Sequence, residues 1–294
     1  MSALGPWLQG ARPRTLPAAL APVAVGTGAA AFAGAASLPR ALLAAGVALA
    51  MQIGVNFAND YSDGIRGTDD QRVGPVRLTA TGVVAPAAVK RAAFLAFGAG
   101  AVFGLALCIV AGAWWLLGVG ALCVLAGWFY TGGSSPYGYS GLGEVAVFVF
   151  FGLVATLGTT FTQAGTINGP ALLGAAAVGL LACALLMANN IRDIPTDTGA
   201  GKRTLAVRLG DRGARWGYVL MVLGGVAASV LVALWQPWAL LVLPLALPAA
   251  LLCRRVLAGA RGPDLIRVLA GTGMLELAIG VVLGLTLAVP VLVS

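Results

Sequence analysis

The sequence contains no histidine, and only 10% of its 294 residues are charged. Soluble domains carry about 25% charged residues, whereas here 60% of the residues are hydrophobic and the mean hydropathy is +0.95. This composition excludes a water-soluble globular protein, a disordered chain and a collagen-like fibre. Because imidazole is absent, any chemistry must rest on carboxylates, amides, hydroxyls and basic side chains.

Cysteine is also scarce. The four cysteines lie within or at the ends of apolar segments, without the CxxC spacing of zinc or redox sites. We interpret them as packing thiols, which excludes a disulfide scaffold.

Long apolar segments dominate the rest of the chain. A bilayer core of about 30 Å is crossed by about 20 helical residues. The sequence predicts an all-α polytopic membrane protein with about nine transmembrane helices, in one bundle with a central cavity open toward the cytoplasmic side. The predicted spans lie near residues 15–34, 41–60, 91–111, 113–131, 143–163, 170–190, 216–234, 237–255 and 268–292. We expect residues 1–294 to form a single integral-membrane domain, with cytoplasmic active-site loops at about 61–90 and 191–215.

The basic residues predict the orientation of the bundle. In this arrangement 17 of the 18 Lys and Arg residues lie on one side, and only Arg40 lies on the other. Short loops rich in Lys and Arg remain in the cytoplasm. We therefore expect a multi-pass protein of the cell membrane, with a cytoplasmic N-terminus and an external C-terminus.

Acidic residues are few, and seven of the ten lie in the two long links or the helix ends beside them. In the first cluster, Asn56, Asp60 and Asp63 follow the i, i+4, i+7 spacing that places side chains on one helix face.

The second cluster repeats this pattern, because Asn189, Asp193 and Asp197 follow one another at four-residue steps. Pro195 predicts a kink or a loosened turn there. The helices that carry the two clusters are separated by an even number of spans, so both clusters are expected at the same membrane face.

Clustered carboxylates need a cation, since two of them about 5 Å apart repel by roughly 3 kcal/mol at an effective dielectric of 20. Oxygen ligands without His or Cys match Mg²⁺, and neighbouring Lys and Arg side chains suit a diphosphate. A diphosphate at the rim of a membrane bundle indicates a polyprenyl diphosphate. The alternative is that these are ordinary polar loops at a membrane edge.

The chain has two glutamates, and neither belongs to the two Asn/Asp clusters. Glu144 begins a predicted helix, where a negative charge is favourable. Glu276 lies well inside the last span, so we expect it to face the protein interior with a partner.

Residues 59–63 (NDYSD) and 190–197 (NIRDIPTD) resemble the two aspartate-rich motifs of the UbiA-type intramembrane aromatic prenyltransferases. Residues 12–17 (RPRTLP), 67–75 (GTDDQRVGP), 130–144 (YTGGSSPYGYSGLGE) and 201–210 (GKRTLAVRLG) are similar to the 1,4-dihydroxy-2-naphthoate polyprenyltransferase branch. The resemblance runs from about residue 5 to residue 290.

The resemblance implies prenyl transfer in menaquinone biosynthesis: a polyprenyl group passes from its diphosphate to 1,4-dihydroxy-2-naphthoate, with loss of CO₂ and diphosphate, giving demethylmenaquinone. It implies Mg²⁺, expected as two ions bridging the diphosphate, and the lipid bilayer as surroundings; no nucleic-acid partner is expected. The implied metal ligands are Asn56, Asp60, Asp63, Asn190, Asp193 and Asp197, and the four aspartates are the implied catalytic residues. Diphosphate binding is implied for Arg66, Arg72, Lys202 and Arg203, and acceptor binding for Tyr130, Tyr137 and Tyr139.

The chain departs from the family pattern at two places. Gly67 stands where the first motif often has a further Asp, so the role of Asp69 is open. Ser134 and Ser135 replace the Lys or Arg that many relatives carry after the equivalent of Tyr130, so the cationic contact near the acceptor is unassigned.

Three alternatives remain at this point. One is a UbiA-type enzyme with another aromatic acceptor. A membrane CDP-alcohol phosphotransferase shares the beginning of the first motif but requires further Asp residues at four-residue steps, which are missing. An ion-coupled secondary transporter would use the carboxylates as an ion site, but an inverted repeat would place the paired motifs on helices of opposite direction.

Overall fold

The computed structural model describes residues 4–68 and 77–293, and within these ranges the chain is helical and contains no strand. We number ten α-helices in chain order: α1 Leu4–Gly10, α2 Pro17–Phe32, α3 Leu38–Ile65, α4 Pro86–Ala111, α5 Leu116–Phe129, α6 Gly143–Ala164, α7 Gly169–Gly199, α8 Leu205–Leu231, α9 Pro237–Leu257 and α10 Pro263–Val293. α6 contains a π-helical stretch at Phe148–Val154, and α9 begins with the 3₁₀ turns of Pro237–Leu245.

The helices account for the predicted spans. Within the described ranges, seven helices are long and apolar enough to cross a membrane, namely α3, α4 and α6 to α10. The α1 region and α2 form a further candidate span, bent by 49°, and α5 is a shorter apolar helix. The prediction of an all-α, multi-pass membrane bundle is therefore confirmed.

The predicted ends of two spans are wrong. α3 continues to Ile65 rather than ending at residue 60, and α7 continues to Gly199 rather than ending at residue 190. Hydropathy falls where the polar motifs begin, yet their backbones remain helical, as the spacing of their Asn and Asp residues predicted. α7 also passes through Pro195 without ending, so the kink expected there is not a helix break.

The second predicted active-site loop is correspondingly short. Only residues 200–204 separate α7 from α8, which begins at Leu205 instead of near residue 216. α8 is interrupted once, at Gly210, whose φ of 68° lies in the left-handed region that glycine adopts most readily.

Small residues allow the central helices to approach closely. A Cβ atom added to Gly28 of α2 would lie 2.5 Å from the backbone of Gly284 in α10, and one added to Gly152 of α6 would lie 2.7 Å from Gly179 in α7. Such contacts let helix backbones pack by dispersion. This matters in a bilayer, because lipid is as apolar as the helix surfaces and provides no hydrophobic driving force for packing.

Arg40 lies at the end of the bundle opposite to the Asn/Asp clusters. Its guanidinium donates to the carbonyl oxygens of Thr162, Gln163 and Val110, at 3.1, 3.2 and 2.9 Å. These carbonyls belong to the last turns of α6 and α4, so Arg40 caps two helix ends.

The cysteines and Glu276 occupy the interior. All four cysteines are free, and Cys108, Cys183 and Cys253 are buried. Glu276 is fully buried, as expected, but neither of its carboxylate oxygens has a hydrogen-bond partner within residues 4–68 and 77–293.

Candidate active site

The ends of α3 and α7 meet at Lys202, in the short link between α7 and α8. The Lys202 Nζ lies 4.0 Å from Asp63 Oδ2 and 3.7 Å from Asp197 Oδ1. Both carboxylates are buried. One residue from each Asn/Asp cluster therefore shares a single cation.

Tyr139 packs against the same group. Its hydroxyl donates to Asp63 Oδ1 at 2.7 Å, and the Lys202 ammonium lies 4.9 Å from the centre of its ring. The Arg66 guanidinium lies 5.5 Å from the centre of the same Tyr139 ring and donates to the carbonyls of Thr131 and Gly133. Burial raises the pKa of the Tyr139 hydroxyl well above its usual value, and the nearby negative charge of Asp63 is the second cause. The phenol therefore stays a proton donor.

The donor set around Lys202 fits a hard divalent cation. The Lys202 ammonium lies between two carboxylates, and a divalent ion would occupy this same position. No group of three Asp, Glu or Cys side chains with metal-binding spacing occurs in the described part of the chain. Mg²⁺ typically uses one or two carboxylates and completes its coordination with water and phosphate oxygens, so Asp63 and Asp197 match its needs.

Asp60 lies one turn deeper in α3 and holds the backbone of a distant segment. Its Oδ2 accepts the N–H of Leu78 and its Oδ1 accepts the N–H of Thr79, both at 2.9 Å. Asp60 is 1% exposed. This carboxylate thus fixes the point at which the chain returns to α3 after residues 69–76.

Asn56 holds another segment. Its side-chain nitrogen donates to the Ala11 carbonyl at 2.9 Å and to Thr15 Oγ1 at 3.2 Å, and its oxygen accepts from Gln52 at 3.4 Å. The nitrogen of the Asn56 amide therefore attaches α3 to the turn between α1 and α2, while its oxygen is held by Gln52 of the same helix.

The motif residues of α7 have local partners. Arg192 donates to both carboxylate oxygens of Asp193, at 2.7 and 2.8 Å, and to Asn189 Oδ1 at 2.8 Å. Asn190 donates to Glu144 Oε1 at 3.1 Å. Glu144 is thus more than a favourable charge at a helix start, because it links α6 to the second motif.

The other predicted diphosphate ligands are placed differently. Arg203 is exposed, and its backbone N–H donates to the Tyr139 carbonyl at 2.9 Å. Arg72, together with Asp69 and Asp70, lies outside the described residues. Gly67, which departs from the family pattern, has a φ of 73°, a conformation that an Asp would adopt less readily.

A cavity of about 1030 Å³ begins beside the two motifs and continues into the bundle. Its polar end is lined by Arg12, Arg77, Arg192, Asn56, Asn59 and Asn189. Its apolar end reaches Leu107 and Leu116, at the opposite ends of α4 and α5 from the motifs. The cavity therefore extends through much of the membrane depth.

Two of the three predicted acceptor-binding tyrosines line this cavity. Tyr130 and Tyr137 pack edge to face, with ring centroids 5.5 Å apart, and the Tyr137 hydroxyl donates to the Ala126 carbonyl at 2.8 Å. Burial raises the pKa of Tyr137 to about 12. Tyr139 contacts Asp63 instead, so it lies at the carboxylate end of the site.

Sequence reasoning missed the arginines of the cavity. Arg12, Arg77 and Arg192 belong to the 17 basic residues that predict the orientation of the bundle, and the sequence assigned no ligand to them. Arg77 is buried, and all three line the cavity. The signal in the sequence is that Arg12 begins the segment 12–17 and Arg192 lies within the second aspartate-rich motif.

The described site combines an apolar cavity, a carboxylate pair suited to a hard cation and several basic side chains at one membrane face. These features define a membrane-embedded site for an anionic head group with an apolar tail.

The profile of the UbiA prenyltransferase family matches residues 19–270. The chain is similar to the 1,4-dihydroxy-2-naphthoate octaprenyltransferase of Mycobacterium tuberculosis, with 54% identity over 93% of this chain and 94% of the relative. The enzyme of the same name from Escherichia coli is 41% identical over 76% of this chain and 75% of its own length. The chain belongs to the UbiA prenyltransferase family.

Solved structures share the fold. The apo structure of a UbiA homolog from Aeropyrum pernix K1 aligns with a TM-score of 0.70 at 18% identity, covering 94% of this chain and 98% of that one. A UbiA homolog from Archaeoglobus fulgidus bound to GPP and Mg²⁺ aligns with a TM-score of 0.66 at 15% identity, over 97% of this chain and 100% of that one. These comparisons favour neither a CDP-alcohol phosphotransferase nor a secondary transporter.

Proposed function

We propose that this protein transfers a polyprenyl group from polyprenyl diphosphate to 1,4-dihydroxy-2-naphthoate, a step of menaquinone biosynthesis. The observation that carries the proposal is the near full-length identity of 54% to an enzyme named for this reaction. The cavity supports it independently, because a long apolar space opens beside asparagines of both motifs and several arginines.

The bonds that change in this reaction balance without an external oxidant. The allylic carbon–oxygen bond breaks, and its electron pair leaves with the diphosphate. A ring carbon of the acceptor then forms the new carbon–carbon bond; if it is not the carbon that bears the carboxylate, the proton that it loses is balanced by one that the decarboxylated carbon gains. Loss of CO₂ returns the electron pair of the carboxylate bond to the ring, which gives the hydroquinone form of demethylmenaquinone.

We assign the diphosphate to the carboxylate end of the site. When bound there, Mg²⁺ would neutralise charge that builds up on the leaving diphosphate. Asp63 and Asp197 are the proposed central ligands, and two ions are proposed to bridge the diphosphate. Asn56, Asp60, Asn190 and Asp193 complete the proposed ligand set, since a carboxylate or amide oxygen can accept more than one partner.

The basic residues at this end are proposed to bind phosphate oxygens. Lys202 already lies between the two carboxylates, and Arg66 directly follows the last residue of α3, three residues after Asp63. Arg72 and Arg203 are the other proposed diphosphate ligands. Charge-assisted hydrogen bonds of this kind are about twice as strong as neutral ones.

The aromatic acceptor is proposed to bind near Tyr130, Tyr137 and Tyr139. The first two line the cavity, and their rings offer an apolar surface for a naphthalene ring system. Closing this site to water would protect the allylic cation from hydrolysis.

We further propose that the site faces the cytoplasm, with the N-terminus cytoplasmic and the C-terminus outside the cell membrane. Arg40 supports this orientation, because it lies at the opposite end of the bundle from the basic residues of the site.

The test is direct. Purified protein is incubated with Mg²⁺, 1,4-dihydroxy-2-naphthoate labelled at its carboxyl carbon, and prenyl diphosphates of defined length. We expect release of labelled CO₂ in step with a prenylated, lipid-soluble product. Parallel reactions with 4-hydroxybenzoate test the alternative acceptor. Prenylation of 4-hydroxybenzoate alone would refute the proposal.

A further inference from the structure

We infer that Arg12 binds the carboxylate of the aromatic acceptor and thereby selects a carboxylated ring. This inference rests on the proposed function, because it identifies the group that the site uses to recognise its acceptor. It concerns the cationic contact that Ser134 and Ser135 leave unassigned.

The first observation is an unused donor. Arg12 lines the cavity, and its Nη2 atom is buried without a hydrogen-bond partner within residues 4–68 and 77–293. A guanidinium nitrogen that has lost its water and gained no partner is unfavourable. An anion bound in the cavity would satisfy it, and the planar guanidinium fork matches a carboxylate in geometry.

The second observation is the backbone of Arg12. With φ 54° and ψ 68°, it is the only non-glycine residue of the described ranges that has a positive φ. A left-handed conformation is disfavoured for a side chain of this size, and such residues cluster at ligand sites when the surroundings hold them in place.

The surroundings do hold this turn in place. Both the N–H and the hydroxyl of Thr15 donate to the Arg12 carbonyl at 2.9 Å. Gln52 and Asn56 of α3 in turn donate to the Thr15 hydroxyl, at 3.3 and 3.2 Å, and Asn56 also binds the Ala11 carbonyl. Buried amides of a neighbouring helix therefore fix the residues on either side of Arg12.

The third observation is the separation along α3. Asn56 binds Ala11 and Thr15, which flank Arg12, and Asp63 lies seven residues further along the helix, or about 10 Å at 1.5 Å per residue. A prenyl diphosphate bound at Asp63 and Lys202 would leave Arg12 to a second anion, with space between them for the reacting carbon and an aromatic ring.

Arg192 is a weaker candidate for this role. It also lines the cavity, but Asp193 already binds its guanidinium through two hydrogen bonds. Arg12 has no such counter-ion among the described residues, so its charge is available for an acidic ligand.

The test uses Arg12→Gly, because glycine tolerates the left-handed backbone and removes only the side chain. Arg12→Lys keeps the charge without the fork, and Arg255→Ala, at an exposed arginine of α9, is the matched control. Each full-length variant is assayed with 1,4-dihydroxy-2-naphthoate and with 1,4-dihydroxynaphthalene, which lacks the carboxylate.

For Arg12→Gly we expect the KM for the naphthoate to rise about 10- to 100-fold, the loss that accompanies removal of a hydrogen bond to a charged group. The KM for prenyl diphosphate and the turnover of 1,4-dihydroxynaphthalene should remain within about twofold of wild type. Arg12→Lys should lie between the two, and Arg255→Ala should match wild type. An equal loss with both acceptors, or a rise in the KM for prenyl diphosphate instead, would overturn the inference.

A binding measurement separates this inference from the proposed function. Without Mg²⁺ and prenyl diphosphate, the naphthoate should raise the melting temperature of the wild-type protein and of Arg255→Ala, but not that of Arg12→Gly. If the wild-type protein shows this shift and forms no prenylated product, the inference holds and the proposed function falls. If product forms and all variants shift equally, the inference falls alone.

Discussion

Asp60 offers the sharpest test of how the first motif is built. The Asp60→Ala substitution removes a buried carboxylate that accepts two backbone N–H groups at 2.9 Å. A hydrogen bond to a charged group contributes about 1.5–3 kcal/mol, so the loss of two predicts destabilisation of about 3–6 kcal/mol. Asp60→Asn keeps one acceptor oxygen and should lose about half as much. Unfolding is measured in mixed micelles by titration with a denaturing detergent.

The decisive comparison is made in the presence of EDTA. Because the partners of Asp60 are the N–H groups of Leu78 and Thr79, the stability loss should be the same with and without divalent ions. Asp264→Ala is the control, since this exposed carboxylate pairs with Arg267 and surface pairs contribute about 0–1 kcal/mol. Unchanged stability of Asp60→Ala in EDTA would refute the tethering role and leave Asp60 as a metal ligand alone.

Three further predictions concern the ion site and the packing. Lys202→Ala should raise the KM for prenyl diphosphate about tenfold or more, since it removes a charge-assisted contact worth roughly 1.4 kcal/mol or more; steady-state kinetics that show an unchanged KM would contradict the assignment. Treatment with EDTA should abolish diphosphate release and added Mg²⁺ should restore it, whereas activity that survives chelation would exclude a metal requirement. Gly284→Ala should lower stability by about 1–3 kcal/mol, because its new Cβ would lie 2.6 Å from the Ala24 carbonyl oxygen. Gly98→Ala, which meets open space, should not lower stability, and equal melting temperatures of the two glycine variants would contradict the packing argument.

Much of the fold could be predicted from the sequence because lipid imposes simple rules. Apolar length predicted the spans, and helical spacing of the motif residues placed Asp63 and Asp197 on helices that deliver them to the same membrane face. Helix ends were harder, because hydropathy falls where a polar motif begins even though the helix continues to Ile65 and Gly199.

The individual partners could not be predicted from spacing. The amide of Asn56 binds Ala11, and the carboxylate of Asp60 binds Leu78 and Thr79, all contacts that depend on how distant segments pack. Arg12 shows the same limit in another form, since the positive-inside rule explains an exposed arginine and one that lines a cavity equally well.

The short helix α5 has a consequence for how substrates and products travel. Its 14 residues extend only about 21 Å, less than the roughly 30 Å core of a bilayer. One face of α5 lines the cavity at Gly120, Cys123 and Val124, while Leu122 and Leu125 on another face are 60% and 52% exposed. The wall between the cavity and the lipid is therefore one short helix thick. For the proposed reaction, this short helix is what separates an uncharged, long-tailed quinol in the cavity from the bilayer on this side.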